Sequence, residues 1–178
     1  MQYIVLDLEC IKNSAIKPSQ EIVELGAHRI IVDGKTMQCN MADSFHAYVK
    51  PCYNDYRKLP HKLTKLTGIT PEILKNADYF EDVYEDFTKW VGNESTRYVC
   101  WGGNDLVMMQ TNCKAHMLPQ LKNSSFSDLQ KDFDRKYGHN RPTSLSNAIA
   151  EAGIGFDGQA HCALDDAYNT GKLFIALS

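Results

Sequence analysis

Apolar residues dominate residues 2–9, the segment QYIVLDLE, which is the first predicted element of the chain. A run this rich in Ile, Val and Leu is typical of a largely buried β-strand. Residues 21–51 offer two or three further strands, and the Asp33-Gly34 pair inside them is a strong hairpin signal. We therefore predict an antiparallel meander that extends from the first strand and ends at Pro51.

Helical patterns become frequent after this meander. Thr70 and Pro71 fit the N-cap and the first position of a helix. Residues 76–92 place apolar side chains on one helical face. Their acids are expected to form a solvated surface on the other face: Glu81, Asp82, Glu85 and Asp86. The remaining predicted elements are a strand over 96–103, a strand end or turn leading into a helix over 125–138, a helix over 143–153 and a last helix over 161–177. Strands followed by helices that alternate with strands predict an α/β fold with a mixed sheet.

The composition is that of an ordinary globular protein, with 178 residues of which 43% are hydrophobic and 23% charged. No apolar run approaches the ~20 residues that span a bilayer, and the N-terminus lacks the pattern of a secretion signal. The six cysteines form no C-x-x-C pair and have no histidine at zinc spacing, so reduced, mostly buried thiols and a cytoplasmic location are expected. The formal net charge of −3 is not the basic charge typical of nucleic-acid-binding domains.

Two carboxylates, Asp7 and Glu9, interrupt the first apolar strand. Residues two apart on a strand point to the same face and lie ~7 Å apart along the chain. Two ionised carboxylates in a buried setting repel each other, so one of them binds a proton unless a cation lies between them. Taken alone, such a pair more often marks a strand end whose acids reach water or pair with a basic side chain.

Further acids and a histidine follow later elements. Asp105 comes just after the strand that ends near Trp101, at the carboxyl edge where functional groups of α/β sheets gather, although a turn or cap would also explain it. His161 lies in the turn before the last helix, and Asp165 and Asp166 lie about one turn inside that helix. Adjacent helical residues are separated by ~100°, so only one of these two acids faces a given site. A histidine or an acid at this position can also simply cap the helix.

Taken together, these segments resemble the three exonuclease motifs of the DEDDh 3'-to-5' exonuclease family: D-x-E on the first strand, an acid after a W-G-x-N-D turn, and H-x-A-x-x-D near the C-terminus. The segment KLTGIT, residues 65–70, is similar to the L-T-G-I segment that the family carries between its first two motifs. The ending GFDGQAHCALDDAYNTGKL looks most like the Eri1-type exonucleases, including KapD-like bacterial proteins. The resemblance implies a ribonuclease H-like α/β fold, with a mixed five-stranded sheet of three antiparallel and then two parallel strands flanked by helices. It also implies a single exonuclease domain over residues 1–178.

Site residues are carried over position by position from the resemblance. It implies a catalytic set of Asp7, Glu9, Asp105, His161 and Asp166. It favours Asp166 over Asp165, because the family's acid lies five residues after its histidine. The four acids would bind two divalent metal ions, Mg²⁺ or Mn²⁺, which prefer oxygen ligands. Asp7 would bridge both ions, Glu9 and Asp166 would bind the ion that holds the attacking water, Asp105 would act largely through water, and His161 would accept a proton from that water.

The expected substrate is single-stranded nucleic acid, with RNA favoured over DNA because of the Eri1-type resemblance. Family precedent points to contacts from Cys10, Leu66 and Trp101, although Trp101 also ends a buried strand and could belong to the core. Two basic clusters could guide the strand, although such a cluster is more often only a solvated surface: Lys58, His61, Lys62 and Lys65, and Lys131, Arg135, Lys136, His139 and Arg141. A DNA exonuclease and a non-catalytic binding module are the alternative functions.

Overall fold

The computed structural model describes residues 1–121 and 126–178. The strands in this part of the chain are β1 Gln2–Lys12, β2 Gln20–Val32, β3 Cys39–Lys50, β4 Asp78–Tyr79, β5 Thr96–Cys100 and β6 Phe126–Asp128. The helices are α1 His61–Thr67, α2 Pro71–Lys75, α3 Phe80–Val91, α4 Asn104–Ala115, α5 Leu129–Tyr137, α6 Leu145–Glu151 and α7 Ala163–Leu177, and Tyr56–Lys58 form a short 3₁₀ turn. Ser125, the first residue of the predicted turn and helix over 125–138, lies outside the described residues.

The strands form one mixed sheet in the order β4-β3-β2-β1-β5-β6. β1, β2 and β3 pair antiparallel, whereas β5 pairs parallel with β1 and β6 pairs parallel with β5. The predicted α/β fold and meander are confirmed, but the predicted count of five strands is wrong, because six are present among the described residues. The additional strand is β4, which lies in the segment predicted as helix. Its two residues stay extended before α3 begins and pair with Val49 and Lys50 of β3.

Local capping explains where several helices begin and end. The Thr70 hydroxyl accepts a hydrogen bond from the Ile73 amide at 3.3 Å, and Pro71 is the first residue of α2, as predicted. Gly92 and Gly138 follow α3 and α5 with φ angles of 75° and 76°, which only glycine adopts readily. Helix α7 begins at Ala163, two residues after the predicted start.

The two largest hydrophobic clusters among the described residues lie on opposite faces of the sheet, and β1 contributes to both. Ile4, Leu6 and Leu8 pack in the cluster that includes residues of α3 and α4. Val5 packs on the other face with residues of α5, α6 and α7. Because side chains alternate along a strand, Asp7 and Glu9 share the face of Val5, towards α7. Over the described ranges, no helix is both long and apolar enough to cross a membrane.

A close approach between β2 and α7 completes this face. Gly26 is paired with Asp7 in the sheet. A Cβ atom at Gly26 would lie 2.2 Å from the Leu164 amide nitrogen and 2.3 Å from the Ala163 carbonyl carbon, so only glycine fits there. The glycine therefore lets the first turn of α7 rest directly on the strand beside Asp7.

Candidate active site

The start of α7 brings a histidine and an acid to Glu9. The Nδ1 atom of His161 lies 3.9 Å from Glu9 Oε1, and the His161 amide donates a 3.0 Å hydrogen bond to Asp166 Oδ2. Metal-ligating atoms of Glu9, His161 and Asp166 all lie within 4.8 Å of one another. Residues from the first strand and the last helix thus meet at one point.

The backbone at His161 is unusual. Its φ angle is 67°, in the left-handed region that few non-glycine residues occupy, and such strain clusters at functional sites. The His161 side chain is 55% exposed, so the imidazole reaches solvent beside Glu9. The neighbouring Asp165 instead accepts a 2.7 Å hydrogen bond from the Gln159 amide and supports the turn before the helix.

Asp105 lies in the first turn of α4, directly after β5, and is 6% exposed. The amides of Leu8 and of Asp105 itself donate hydrogen bonds to its carboxylate. The charges of Asp105 and Asp166 both act on Asp7, which is half-buried at the centre of this group. The sheet and two helices therefore bring all four predicted acids into one electrostatic cluster.

Burial and mutual repulsion raise the pKa of every acid in this cluster. Burial, followed by the charges of Asp105, Asp166 and Glu9, raises the pKa of Asp7 well above its ordinary value. Burial and the charges of Glu24 and Asp166 raise the pKa of Glu9 to about 8. Burial also raises the pKa of Asp105 to about 7 and that of Asp166 to about 6. Acids arranged in this way keep bound protons near neutral pH unless a cation takes the place of those protons.

A fifth acid, Glu24, was not predicted from the sequence. It lies opposite Glu9 in the β1–β2 pairing and is 1% exposed. Its Oε1 atom is 2.8 Å from His46 Nε2, while Oε2 is buried without a hydrogen-bond partner among the described residues. The available signal was an acid inside the apolar run EIVELGA, which has the same character as the D-x-E signal of β1.

A cleft of about 330 Å³ opens beside Glu9 and His161. Two of the residues predicted to contact substrate, Cys10 and Leu66, line it, together with Lys12 and Lys62. Leu66 is 39% exposed despite being apolar. The third predicted contact, Trp101, is not among the lining residues. Its indole packs against Phe133 and donates a 3.1 Å hydrogen bond to the Thr143 carbonyl.

The donor set fits a hard divalent cation. Glu9 and Asp166 supply carboxylate oxygens close to each other, and Asp7 and Asp105 add two more carboxylates. Oxygen donors of this kind suit Mg²⁺ and Mn²⁺. A divalent cation would also relieve the repulsion that raises these pKa values. Glu24, opposite Glu9 on β2, adds to the negative charge that attracts the cation.

The raised pKa values predict how stability depends on pH. In the metal-free protein, the folded site keeps protons that the unfolded chain loses above pH ~4, so stability falls as the pH rises through about 8, the value for Glu9. Between pH 5.5 and 8.5 we expect Tm in EDTA to drop by roughly 5–10 °C. Excess Mg²⁺ binds the ionised acids, so the difference between Mg²⁺ and EDTA should widen with pH. Thermal unfolding followed by circular dichroism measures both.

The matched control for this pH series is Glu9→Gln. Because this variant lacks the group with a pKa of about 8, its Tm in EDTA should fall less over the same range. A decline as steep as that of the wild type would assign the pH dependence to other groups.

Two acids on the central strand β1, joined by one acid from α4, one acid from α7 and the histidine before α7, form an arrangement typical of a metal-dependent phosphodiesterase. Residues 4–174 match the model of the exonuclease family RNase T. The chain belongs to this family, and the predicted membership of the DEDDh 3'-5' exonucleases is confirmed.

Curated relatives carry the same activity in their names. The chain is 27% identical over 154 residues to the probable 3'-5' exonuclease KapD of Bacillus subtilis, a match that covers 86% of this chain and 71% of KapD. It is 28% identical over 195 residues to ERI1 exoribonuclease 2 of Mus musculus, covering 96% of this chain but 27% of that protein. The chain therefore corresponds to part of the mouse protein.

Solved structures share the fold. The nuclease domain of 3'hExo, a DEDDh family member bound to rAMP, matches with a TM-score of 0.81 at 22% identity over 98% of this chain and 90% of that chain. Pop2p of S. pombe, in its Mg²⁺- and Mn²⁺-bound form, matches with a TM-score of 0.66 at 13% identity, over 97% of this chain and 81% of that chain. The family is dependent on divalent metal.

Proposed function

We propose that this chain is a divalent-metal-dependent exonuclease that removes nucleotides from the 3' end of single-stranded RNA, and that residues 1–178 form one exonuclease domain. The observation that carries the proposal is the meeting of Glu9, His161 and Asp166 within 4.8 Å, beside a cleft that an exposed leucine lines. This arrangement joins a hydrolytic centre to a surface on which a terminal nucleotide can rest.

Asp7, Glu9, Asp105 and Asp166 would hold two metal ions, which would supply charge relief on the phosphoryl oxygens and a stabilised leaving oxygen. The proposed count of two ions rests on the number of carboxylates, since four acids exceed what one ion needs when it also binds water and phosphate. Asp7 is central to the group because the charges of Asp105, Asp166 and Glu9 all act on it. Asp105 is more buried than Asp166, and backbone amides donate hydrogen bonds to its carboxylate. It would act largely through water.

His161 would accept the proton of the attacking water. Its Nδ1 atom is 3.9 Å from Glu9 Oε1, so the imidazole reaches the centre, and its exposure allows the proton to leave to solvent. An imidazole has an ordinary pKa of ~6.5, which suits a base that works near neutral pH. The hydrogen bond from the His161 amide to Asp166 ties the position of the base to that of an acid in the centre.

The terminal nucleotide would rest in the cleft. Leu66 offers an apolar contact for the base, and Lys12 and Lys62 offer positive charge for the phosphates. In the second basic cluster, by contrast, Lys131 and Arg135 pair with Asp128 and Asp132 at 3.2 Å and 3.3 Å. These contacts favour the cluster around Lys62 as the one that guides the strand.

The preference for RNA rests on relatives named as exoribonucleases and on the rAMP bound to 3'hExo. Selection of RNA requires contacts to the 2'-hydroxyl. With Mg²⁺, a 5'-labelled single-stranded RNA should shorten one nucleotide at a time, at least ~10-fold faster than DNA of the same sequence. The matched substrate is RNA with a single 2'-deoxy residue at its 3' end, for which only the first removal should be slow.

The outcomes of this assay separate the candidate functions. DNA shortened as fast as RNA would overturn the RNA preference and favour a DNA exonuclease. Fragments from internal cleavage would contradict the exonuclease direction. Failure to shorten either substrate would favour a binding module without catalysis.

A further inference from the structure

A second cluster of metal-ligating side chains lies outside the acid centre. Cys52 is in the loop after β3, Glu81 is in the first turn of α3, and His116 follows the last residue of α4. One ligand atom from each of these residues lies within 4.8 Å of the other two. Within the cluster, His116 Nδ1 is 2.8 Å from Glu81 Oε1. The chain thus brings a thiol, an imidazole and a carboxylate together from three separate elements.

Helix α4 separates this cluster from the acid centre. Asp105 lies in the first turn of α4, and His116 lies eleven residues later, just past the other end. At 1.5 Å per residue, the two positions are ~16 Å apart along the helix axis. A ligand bound at His116 is therefore not part of the proposed exonuclease centre.

The loop that carries Cys52 is held by a buried acid. Glu21 is 2% exposed, and its carboxylate accepts hydrogen bonds from the amides of Cys52, Tyr53 and Asn54 at 2.5 Å, 2.8 Å and 2.8 Å. Three amide donors on one carboxylate fix the loop backbone. The position of the thiol relative to α3 and α4 is therefore set by the fold rather than by the loop alone.

The imidazole of His116 is held equally firmly. Its side chain is 3% exposed, and its ring centroid lies 5.1 Å from that of Phe80 and 5.3 Å from that of Tyr53. The Tyr53 hydroxyl also donates a 3.0 Å hydrogen bond to the Ala115 carbonyl, next to His116. A ligand fixed by packing loses little conformational entropy when it binds a metal.

The charges around the cluster favour a cation. The carboxylates of Glu81 and Glu21 lie nearby, and the carboxyl end of α4 adds the negative end of a helix dipole. A divalent cation would replace the thiol proton and neutralise the surplus negative charge.

We propose that Cys52, Glu81 and His116 form a second metal site that takes a borderline-soft divalent cation such as Zn²⁺. Sulfur, nitrogen and oxygen donors in one site suit Zn²⁺ and Co²⁺, whereas the carboxylate-rich exonuclease centre suits Mg²⁺ and Mn²⁺. Three protein ligands leave the fourth tetrahedral position to water. The bound ion would cross-link the loop after β3 to α3 and to the end of α4, and it would stabilise the fold there.

Cobalt spectroscopy tests this site without reference to exonuclease activity. Co²⁺ added to the reduced, metal-free full chain should produce the near-ultraviolet absorption of sulfur-to-cobalt charge transfer, which oxygen and nitrogen ligands do not give. Cys52→Ser should abolish the band. Cys162→Ser is the matched control, because Cys162 lies beside Glu24 near the exonuclease centre, and it should retain the band. Zn²⁺ should displace Co²⁺ from the site.

A band that persists in Cys52→Ser and disappears in Cys162→Ser would overturn the proposal and place the soft metal at the exonuclease centre. Absence of any band in the wild type would also overturn it. If Cys52→Ser does not fold, alkylation of the wild type tests instead whether Cys52 binds the metal, because Cys52 is exposed and accessible to the reagent. Zn²⁺ should then slow alkylation of Cys52 at least ~10-fold, as mass spectrometry measures, and an unchanged rate would contradict the site.

Discussion

Replacing Asp7 with Asn is expected to lower the rate of RNA hydrolysis at least ~10³-fold while making the metal-free protein more stable. The loss of rate follows because metal ions supply several kcal/mol of transition-state stabilisation, and each 1.36 kcal/mol is tenfold in rate. The gain in stability follows because burial and four neighbouring acids make a charge at Asp7 unfavourable when no cation is present. A residue needed for the fold alone would not produce this opposite pair of effects.

Two measurements on the same preparations check this prediction. Rates come from the labelled-RNA assay in Mg²⁺, and stability comes from thermal unfolding in EDTA at pH 8. Asp86→Asn is the matched control, since Asp86 is exposed on α3 and its substitution should change neither quantity appreciably. A variant Asp7→Asn that lost both activity and stability would contradict the account, because the loss of rate would then reflect misfolding.

The second large effect is expected at His161. Loss of a general base typically costs 10²–10⁴-fold in rate, so His161→Ala should reduce turnover by about that factor. Metal affinity should stay within ~3-fold of the wild type, because the carboxylates remain in place. Single-turnover hydrolysis and calorimetric titration with Mn²⁺ measure the two quantities separately.

The left-handed backbone of His161 calls for a second variant. Asn adopts a positive φ more readily than Ala, so His161→Asn preserves the backbone at this position but removes the base. Both variants should be equally impaired. If His161→Asn recovered most of the activity, the conformation of the turn, rather than proton transfer by the imidazole, would explain the loss of rate in His161→Ala. Loss of Mn²⁺ binding in both variants would instead make His161 a metal ligand.

The strands of the meander and the D-x-E pair were predictable because apolar runs and acids within them are local signals. Helix α4 was not predicted, since its buried side chains include the polar Asp105 and Asn112 beside two methionines, and no apolar stripe marks it. Asn112 is buried because it bonds to β2 through the Ile22 amide and the Gln20 carbonyl. The burial of Asn112 therefore depends on a neighbouring strand, and the helical periodicity of the sequence does not show it.

The same limit applies around the site. Gly26 is required only because α7 packs on it, and Glu24 matters only because β2 lies beside Glu9. Cys52, Glu81 and His116 show no metal-binding spacing in the sequence, and Glu81 was predicted to be part of a solvated surface. Glu81, Asp82, Glu85 and Asp86 are all exposed as predicted, and Glu81 in addition pairs with His116. Residues joined by tertiary packing alone cannot be grouped from one sequence.

Anomalous diffraction from crystals soaked in Mn²⁺ should show whether the acids of β1, α4 and α7 form a metal centre. We expect two anomalous peaks ~4 Å apart, bound by the carboxylates of Asp7, Glu9 and Asp166, with Asp105 next to them. Peaks only elsewhere on the molecule, with no density at these carboxylates at saturating Mn²⁺, would contradict it.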